Sequence, residues 1–223
     1  MWAVIPIKNL NETKHRLKSA LNPQERRDFF VEMFEDVLTT LLAVPELEQV
    51  AVATVCPIAG KIAKKYGTSI LFTEKDEGQT AAVTRTAEIL ESKRVAKMLI
   101  LPGDVPLVTV EEIQTVIATH ENACSTPDIP AMTIVPARDE QGSNCIVLSP
   151  PTAAPLRFGP NSYFPHLETA RKLGVSLQTL KLPGIGLDID TPEDLLELGR
   201  QSVRTRAQNY LQKYKILERI KIA

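Results

Sequence analysis

The chain has 223 residues with 43% hydrophobic and 24% charged content, which fits one globular α/β domain. A formal net charge of -1 gives no global attraction for nucleic acid, and no apolar run approaches the roughly 20 residues that span a membrane. The three cysteines form no CxxC pair, which argues against a disulfide framework or a zinc ribbon and predicts a cytoplasmic protein.

Apolar runs alternate with helical patterns along the first half of the chain. The run WAVIPI predicts a first strand over residues 2–7 rather than a signal peptide, because no basic segment precedes it. Asn22 followed by Pro23 is typical of a helix cap and first helical position, and apolar residues at helical spacing follow. Further strands are predicted at 49–55, 69–74 and 96–104, and further helices at 57–67, 77–92 and 109–120.

The second half departs from strict alternation. Two strands are predicted in succession, PAMTIVPARD and SNCIVLSPP, joined around Gly142; a helix at 162–174, a strand at 175–182 and a helix at 191–201 follow. This pattern predicts a Rossmann-like, mainly parallel sheet with helices on both faces, made mixed by the strand pair. We expect one domain over residues 1–200 and a basic helical tail over 201–223, either solvated at the surface or in contact with another subunit.

Basic residues follow the first predicted strand. Ligands bind at the carboxyl ends of strands in sheets of this kind, and the first strand leads to Lys8, Lys14 and Arg16. The spacing is neither GxxxxGK[ST] nor GxGxxG, so the phosphate-binding P-loop and the dinucleotide fingerprint are both absent. Phosphate binding and simple solvation therefore explain these residues equally well.

Carboxylates follow two other predicted strands. Asp104 comes directly after a strongly apolar run, and a buried carboxylate needs donors or a cation; the pattern favours Mg²⁺ over capping of the turn at 102–103. Asp188 and Asp190 lie two residues apart on a predicted late strand and would point to the same side. They fit a metal site as well as they fit the alternative, in which Asp190 caps the next helix and Asp188 pairs with a surface lysine.

Two glycine-containing stretches, GSN at 142–144 and FGPNS at 158–162, offer backbone N–H groups to an anion. Ser162 opens a helix and is either its N-cap or part of an anion site. His166, one turn further on, is more typical of a structural histidine than of a catalytic one. The spacing indicates no Ser-His-Asp or Cys-His arrangement. The combined pattern favours metal-assisted nucleotidyl transfer, in which positioning and charge neutralisation supply most of the rate.

Six stretches in this order resemble the guanylyltransferases of deazaflavin (coenzyme F-420) biosynthesis, which act on 2-phospho-L-lactate or phosphoenolpyruvate. They are WAVIPIKNLNETKHRL, NPQERRDF, LPGDVPLVT, DEQGSN, FGPNSYFPHLETARKLG and LDIDTPEDL. The resemblance spans about residues 2–198, and the combination of FGPxS with LDxDTPEDL is specific. It implies an α/β fold of the nucleotide-diphospho-sugar transferase type, related to molybdopterin guanylyltransferase. It further implies GTP and Mg²⁺, with a phosphorylated three-carbon acid as acceptor.

The resemblance also implies residue roles. Asp104, Asp188 and Asp190 would hold Mg²⁺ and, with Lys14, form the catalytic group. The residues expected to bind GTP are Pro6, Lys8, Lys14, Arg16, Gly78, Gln79, Pro102 and Asp104. The residues expected to bind the acceptor are Ser143, Asn144, Gly159 and Ser162.

The chain departs from the family pattern at three places. It has GQTAA at 78–82 where relatives commonly have GLNAA, FGPNS where they often have FGPGS, and PGDVPL where they have PADLPL. The first lies where nucleotide and acid should meet, so 2-phospholactate, phosphoenolpyruvate and 3-phosphoglycerate all stay open as acceptors. The alternatives are a nucleotidyltransferase for molybdopterin or a sugar phosphate, and a non-catalytic nucleotide-binding domain. A homodimer and handover of the product to the downstream transferase are both compatible with the sequence.

Overall fold

A computed structural model describes residues 1–10, 14–72, 78–124 and 129–220. Seven strands within these ranges form a single sheet. They are β1 (Trp2–Ile7), β2 (Gln49–Thr54), β3 (Ser69–Phe72), β4 (Met98–Ile100), β5 (Ala131–Pro136), β6 (Ser143–Ser149) and β7 (Ser176–Thr179).

The strands lie in the order β3-β2-β1-β4-β6-β5-β7. β1 is parallel to both β2 and β4, β2 is parallel to β3, and β5 is parallel to β7. Only β6 runs against its neighbours, β4 and β5, because a short loop around Gly142 joins it to β5. The predicted mixed, mainly parallel sheet is therefore confirmed.

Helices cover both faces of the sheet. They are α1 (Pro23–Leu42), α2 (Pro57–Lys65), α3 (Gln79–Ser92), α4 (Val110–Ala123), α5 (Tyr163–Lys172), α6 (Pro183–Gly186), α7 (Pro192–Arg200), α8 (Arg206–Lys213) and α9 (Ile216–Arg219). The predicted cap of α1 is confirmed as a capping box, since the side chain of Asn22 accepts from the N–H of Glu25 and that of Glu25 accepts from the N–H of Asn22. None of the described helices is long and apolar enough to cross a lipid bilayer.

Alternate residues of each strand supply two hydrophobic cores. Ile5 of β1 packs on one face with Phe29 and Phe34 of α1, while Val4 packs on the other with Leu90 of α3. These five side chains are fully buried. The period of two along a strand divides the apolar residues between the two faces, so helices must cover both.

The predicted tail packs on α1 rather than lying solvated at the surface. Tyr210 and Leu211 of α8 are buried in the same core as α1, and the rings of Phe29 and Tyr210 have centroids 5.9 Å apart. Both carboxylate oxygens of Asp36 on α1 accept from backbone N–H groups at the start of α8. The solvated interpretation is therefore wrong for this face, because amphipathic spacing alone does not reveal which surface the apolar side contacts.

Two strand predictions need correction. β4 extends only over Met98–Ile100, because the chain turns at Pro102 to reach Asp104 rather than continuing as a strand over 96–104. Residues 187–190 form no strand, and the short helix α6 precedes them. The burial of 187–190 still alternates, with Leu187 and Ile189 buried. The prediction that Asp188 and Asp190 share one side survives for this reason.

Candidate active site

Three segments meet beyond the carboxyl ends of the central strands. β1 and β4 are adjacent and parallel, so the loops that follow them are neighbours. The N–H of Ile189 donates to the carbonyl of Asp104 at 3.0 Å and attaches the third segment. This contact places Asp188 and Asp190 beside Asp104, and we refer to these three residues as the aspartate cluster.

Lys14 lies between two members of the cluster. Its Nζ donates to Oδ2 of Asp104 and to Oδ1 of Asp190, both at 2.6 Å, and its side chain is only 4% exposed. Burial opposes the charge of this ammonium group, but the two carboxylates outweigh burial and raise the pKa of Lys14. Lys14 has left-handed backbone angles, with φ 57° and ψ 40°, an uncommon conformation for a non-glycine residue that must be held by its surroundings.

The carboxyl groups of Asp188 and Asp190 have opposite pKa shifts. Burial, reinforced by the nearby charge of Asp104, raises the pKa of Asp188 to about 6, although the amide of Asn144 donates to it at 3.0 Å. Burial acts in the same direction on Asp190, but the ammonium of Lys14 outweighs it and lowers the pKa. Arg16 contributes to this lowering, with its Nη1 3.7 Å from Oδ2 of Asp190. Lys14 hydrogen-bonds to Asp190 and acts on Asp188 only through its charge, which is too weak to offset burial.

The start of α7 fixes the backbone beside the cluster. Thr191 is the N-cap of this helix, and its hydroxyl accepts from the N–H of Asp194. In return, Oδ2 of Asp194 accepts from the N–H groups of Asp190 and Thr191 at 3.1 and 2.8 Å. The interpretation of Asp190 as the helix cap is therefore wrong, and Asp188 pairs with Asn144 rather than with a surface lysine.

The aspartate cluster offers carboxylate oxygens that could bind Mg²⁺. Oδ1 of Asp104 is buried, and no described residue donates a hydrogen bond to it. Carboxylate oxygens are the ligands that Mg²⁺ prefers, and a buried oxygen without a donor favours a cation. Within the described ranges, no three His, Cys, Asp or Glu side chains form a group that could hold a metal ion, and Lys14 binds two of the three carboxylates. The oxygen chemistry of the cluster therefore fits Mg²⁺, but its arrangement around Lys14 is not that of a metal site.

A cavity of about 540 Å³ opens above the cluster. Ten of the predicted site residues line it: Arg16, Gln79, Pro102, Asp104, Ser143, Asn144, Gly159, Ser162, Asp188 and Asp190. Lys14 lies beneath this surface, bound to the cluster. Pro6, Lys8 and Gly78 do not appear on the described wall of the cavity. Gly78 instead provides the N-cap of α3 with a φ of 89°, next to Gln79 on the wall.

Sequence reasoning missed several charged groups of the cavity. Six carboxylates line it: those of Asp104, Asp139, Asp188, Asp190, Glu193 and Asp194. Two guanidinium groups face them, those of Arg16 and Arg138. Arg138 follows β5, and its Nη2 lies 3.3 Å from Oδ1 of Asp194. The rule that ligands bind at strand ends could have identified Arg138, because it lies near the end of the predicted strand 130–139.

Residues 157–162, which we call the acceptor loop because the resemblance implies that they help to bind the acceptor, form part of the cavity wall together with the start of β6. Ser162 opens α5, but its hydroxyl makes no capping bond and lies 3.5 Å from Oγ of Ser143. His166 is buried, with Nδ1 2.9 Å from the same Oγ and Nε2 accepting from the N–H of Arg157 at 2.9 Å. Burial lowers the pKa of His166 to about 4, so the ring is neutral near pH 7. The histidine therefore holds the wall together.

The chain is similar in sequence to a family of guanylyltransferases. The profile of a family described as Guanylyl transferase CofC like matches residues 1–221. The chain is 30% identical to phosphoenolpyruvate guanylyltransferase of Sphaerobacter thermophilus over 196 residues, which cover 88% of this chain and 91% of the relative. It is 29% identical to 3-phospho-D-glycerate guanylyltransferase of Colwellia psychrerythraea over 192 residues, 86% of this chain and 88% of the relative.

Two further similarities extend this result. The chain is 28% identical to 2-phospho-L-lactate guanylyltransferase of Methanothermobacter thermautotrophicus over 211 residues, 95% of this chain and 89% of the relative. A solved structure from Desulfovibrio desulfuricans, assigned to the nucleotide-diphospho-sugar transferases, superposes with a TM-score of 0.78. The two chains are 16% identical, with 98% of this chain and 96% of that chain covered, so this match establishes the fold alone.

Proposed function

The chain belongs to the family of CofC-like guanylyl transferases, and on that premise we propose that it transfers GMP from GTP to the phosphate of a phosphorylated three-carbon acid. Pyrophosphate is the second product. The candidate acids are those named for its relatives: phosphoenolpyruvate, 3-phospho-D-glycerate and 2-phospho-L-lactate. A nucleotidyltransferase for another acceptor is the alternative that the experiment below decides.

One observation carries the proposal. The aspartate cluster and Lys14 come together from three distant parts of the chain, facing a wall of hydroxyl, amide and glycine groups across one cavity. On one side, Lys14 and the aspartate cluster suit a triphosphate and its metal ion. On the other side, uncharged hydrogen-bond donors suit the acid. The cavity therefore has room and chemistry for two anionic substrates.

The residues divide between the two substrates. Lys14 and Arg16 bind the phosphates of GTP, with Pro6 and Lys8 along the same loop and Gly78, Gln79 and Pro102 towards the nucleoside. Ser143, Asn144, Gly159 and Ser162 seat the acid. An oxygen of the acid's phosphate attacks the α-phosphorus in line, a new P–O bond forms there, and the bond to the β-phosphate breaks. Holding the two substrates in this geometry supplies much of the acceleration.

Electrostatics supports a requirement for Mg²⁺. The wall carries six carboxylates and two guanidinium groups, and one ammonium group lies beneath it. This excess of negative charge would repel two anionic substrates. Asp104, Asp188 and Asp190 would hold the ion, with the buried Oδ1 of Asp104 in need of a cation. When bound, Mg²⁺ neutralises phosphate charge and stabilises the charge that develops during transfer.

The cellular setting extends the proposal. The resemblance to deazaflavin biosynthesis enzymes supports a role in coenzyme F-420 formation, in the cytoplasm. Direct handover of the guanylylated product to the downstream transferase fits that role, and a homodimer is compatible with it. The proposed division is a guanylyltransferase domain at 1–200 and a C-terminal helical tail at 201–223, which packs on α1.

Pyrophosphate release tests the proposal. The protein is incubated with Mg²⁺ and each of the four common nucleoside triphosphates. The acceptor is one of the three acids, a sugar phosphate or molybdopterin, and the downstream transferase is present to consume an unstable product. We expect release with GTP and at least one acid, and none when either substrate or Mg²⁺ is omitted. If GTP supports no release with any of the three acids, the proposal is wrong, and release with a sugar phosphate or molybdopterin would establish the alternative.

Variants assign the activity to the cavity. Asp104→Asn should abolish release while the protein stays folded by circular dichroism, because it removes a charge from the cluster. Asp28→Asn on α1 is the matched control, since its side chain is 44% exposed and does not line the cavity. If the two variants release pyrophosphate at the same rate, the aspartate cluster is not the active site.

A further inference from the structure

Two consecutive backbone N–H groups hold the acceptor loop from opposite sides. The N–H of Arg157 donates to Nε2 of His166 on α5 at 2.9 Å. The next N–H, that of Phe158, donates to Oγ1 of Thr80 on α3 at 3.0 Å. The Phe158 ring also packs edge-on against the ring of His166, with centroids 5.6 Å apart. The loop is thus attached at its first two residues, just before Gly159 and Ser162 reach the cavity.

These contacts determine the tautomer of His166. A backbone N–H can only donate, so Nε2, which accepts from Arg157, carries no proton in the neutral ring. The proton is therefore on Nδ1, and Nδ1–H donates to Oγ of Ser143 at 2.9 Å. The ring is fully buried, which keeps it neutral and keeps this direction of donation fixed.

The direction of these bonds determines what Ser143 can do. Its Oγ accepts from His166 and, at the longer distance of 3.5 Å, from the hydroxyl of Ser162. A serine hydroxyl has two acceptor positions and one proton, so the proton of Ser143 is left to donate. Ser143 lines the cavity, and a hydroxyl constrained to donate there suits an anionic group of a ligand.

Thr80 links this wall to the other substrate. It lies in the first turn of α3, next to Gln79, which lines the cavity where the nucleoside is expected. Its hydroxyl oxygen reaches across to the acceptor loop rather than into the cavity.

We propose that Thr80 and His166 are positioning residues for the acceptor: they hold the acceptor loop against α3 and α5, and His166 orients the Ser143 hydroxyl as a donor to the acid. This inference rests on the proposed function. Neither residue is on the described wall of the cavity, and both bind the backbone of the acceptor loop, so both act on the affinity for the acid rather than on that for GTP.

Kinetics of Thr80→Val and Thr80→Ser test the first half. Valine has nearly the same shape as threonine but lacks the acceptor oxygen, whereas serine keeps it. We expect Thr80→Val to raise the KM for the acid about 2- to 10-fold, the range for loss of one neutral hydrogen bond. The KM for GTP should change by less than about 2-fold, and Thr80→Ser should behave like wild type. A lower melting temperature without a change in the acid's KM would show a purely structural role and overturn the inference.

A double-mutant cycle of His166→Gln and Ser143→Ala tests the second half. Glutamine keeps an acceptor near the position of Nε2 but presents no donor at that of Nδ1, so it disconnects Ser143 while retaining the bond to Arg157. We expect His166→Gln to raise the acid's KM in the wild type and to have a much smaller effect when Ser143 is already alanine. Additive effects would overturn the role assigned to His166.

The outcomes separate this inference from the proposed function. If wild type releases no pyrophosphate with GTP and any of the three acids, the proposed function fails, and this inference fails with it. If wild type is active but Thr80→Val leaves the acid's KM unchanged, or raises the KM for GTP equally, only this inference is wrong.

Discussion

Replacing Lys14 with methionine should destabilise the protein at neutral pH and make it responsive to Mg²⁺. The ammonium group is the hydrogen-bond partner of both Asp104 and Asp190, at 2.6 Å each, in a site where its own side chain is 4% exposed. Methionine has a similar length and no charge. The variant therefore leaves the aspartate cluster intact but without its buried cation.

The magnitude follows from the burial of the partners. Removing one partner of a buried ion pair costs about 3–5 kcal/mol, because the other charge is left uncompensated. Asp104 is 22% exposed and is close to the buried case. Asp190 is 40% exposed, so water stabilises part of the charge that Lys14 no longer compensates. We therefore expect a loss of about 2–4 kcal/mol, which for a chain of this size corresponds to a fall of roughly 5–15 °C in melting temperature.

The loss should depend on pH in a defined direction. In the wild type, Lys14 lowers the pKa of Asp190. The ionised Asp190 therefore stabilises the folded protein above pH 3.8, the ordinary pKa of the group, and this stabilisation is lost as the pH falls through the lowered pKa. Without Lys14, burial alone raises the pKa of Asp190, which penalises the ionised form and is relieved by acid. The contribution of Lys14 itself to stability is constant below pH 10.5, the ordinary pKa of a lysine. The difference between the two proteins should therefore shrink from pH 8 to pH 5.

Thermal unfolding in EDTA across this pH range measures the effect. Lys18→Met is the matched control, because Lys18 is an exposed lysine in the same segment. Adding Mg²⁺ should raise the melting temperature of Lys14→Met more than that of wild type, since the ion replaces the missing cation. A variant that melts within about 2 °C of wild type at pH 7.5, or a difference that grows on acidification, would refute the reasoning.

Three further predictions concern other positions. Asp188→Asn should melt at or above the wild-type temperature in metal-free buffer at pH 7.5, because burial raises the pKa of Asp188 to about 6 and penalises its charge. Its rate of pyrophosphate release should nevertheless fall by about 100-fold or more. Gly184→Ala should lose about 1–3 kcal/mol in chemical denaturation, because a Cβ there would lie 2.3 Å from the carbonyl oxygen of Leu107. Gly60→Ala, whose nearest contact would be an ordinary 3.9 Å, should lose nothing. Arg138 lines the cavity with Ser143 and could add a cation to the uncharged donors that seat the acid, so Arg138→Gln should raise the acid's KM by roughly 10-fold. Its melting temperature should change little because the side chain is 60% exposed, and an unchanged KM would exclude contact with the acid.

Much of the fold could be predicted because its signals are local. The capping box at Asn22 needs only residues within one helical turn, and the two consecutive strands around Gly142 predicted the mixed sheet. The length of β4 and the packing of the tail on α1 could not be predicted in the same way. Both depend on residues that are distant in sequence; the tail, for example, is held by Asp36 of α1, which accepts from backbone N–H groups at the start of α8.

The candidate site likewise has features that the sequence predicts and features that depend on tertiary contacts. The sequence by itself determined that Asp104, Asp188 and Asp190 follow apolar segments, since alternation and strand ends are visible in the pattern. Only the tertiary structure decided that Lys14 lies between Asp104 and Asp190, which are 90 and 176 positions away. It likewise decided that Thr191 rather than Asp190 caps α7. The physical reason is that the charge and hydrogen bonding of a side chain depend on the atoms packed around it, whereas residue spacing specifies only which face of its own segment it occupies.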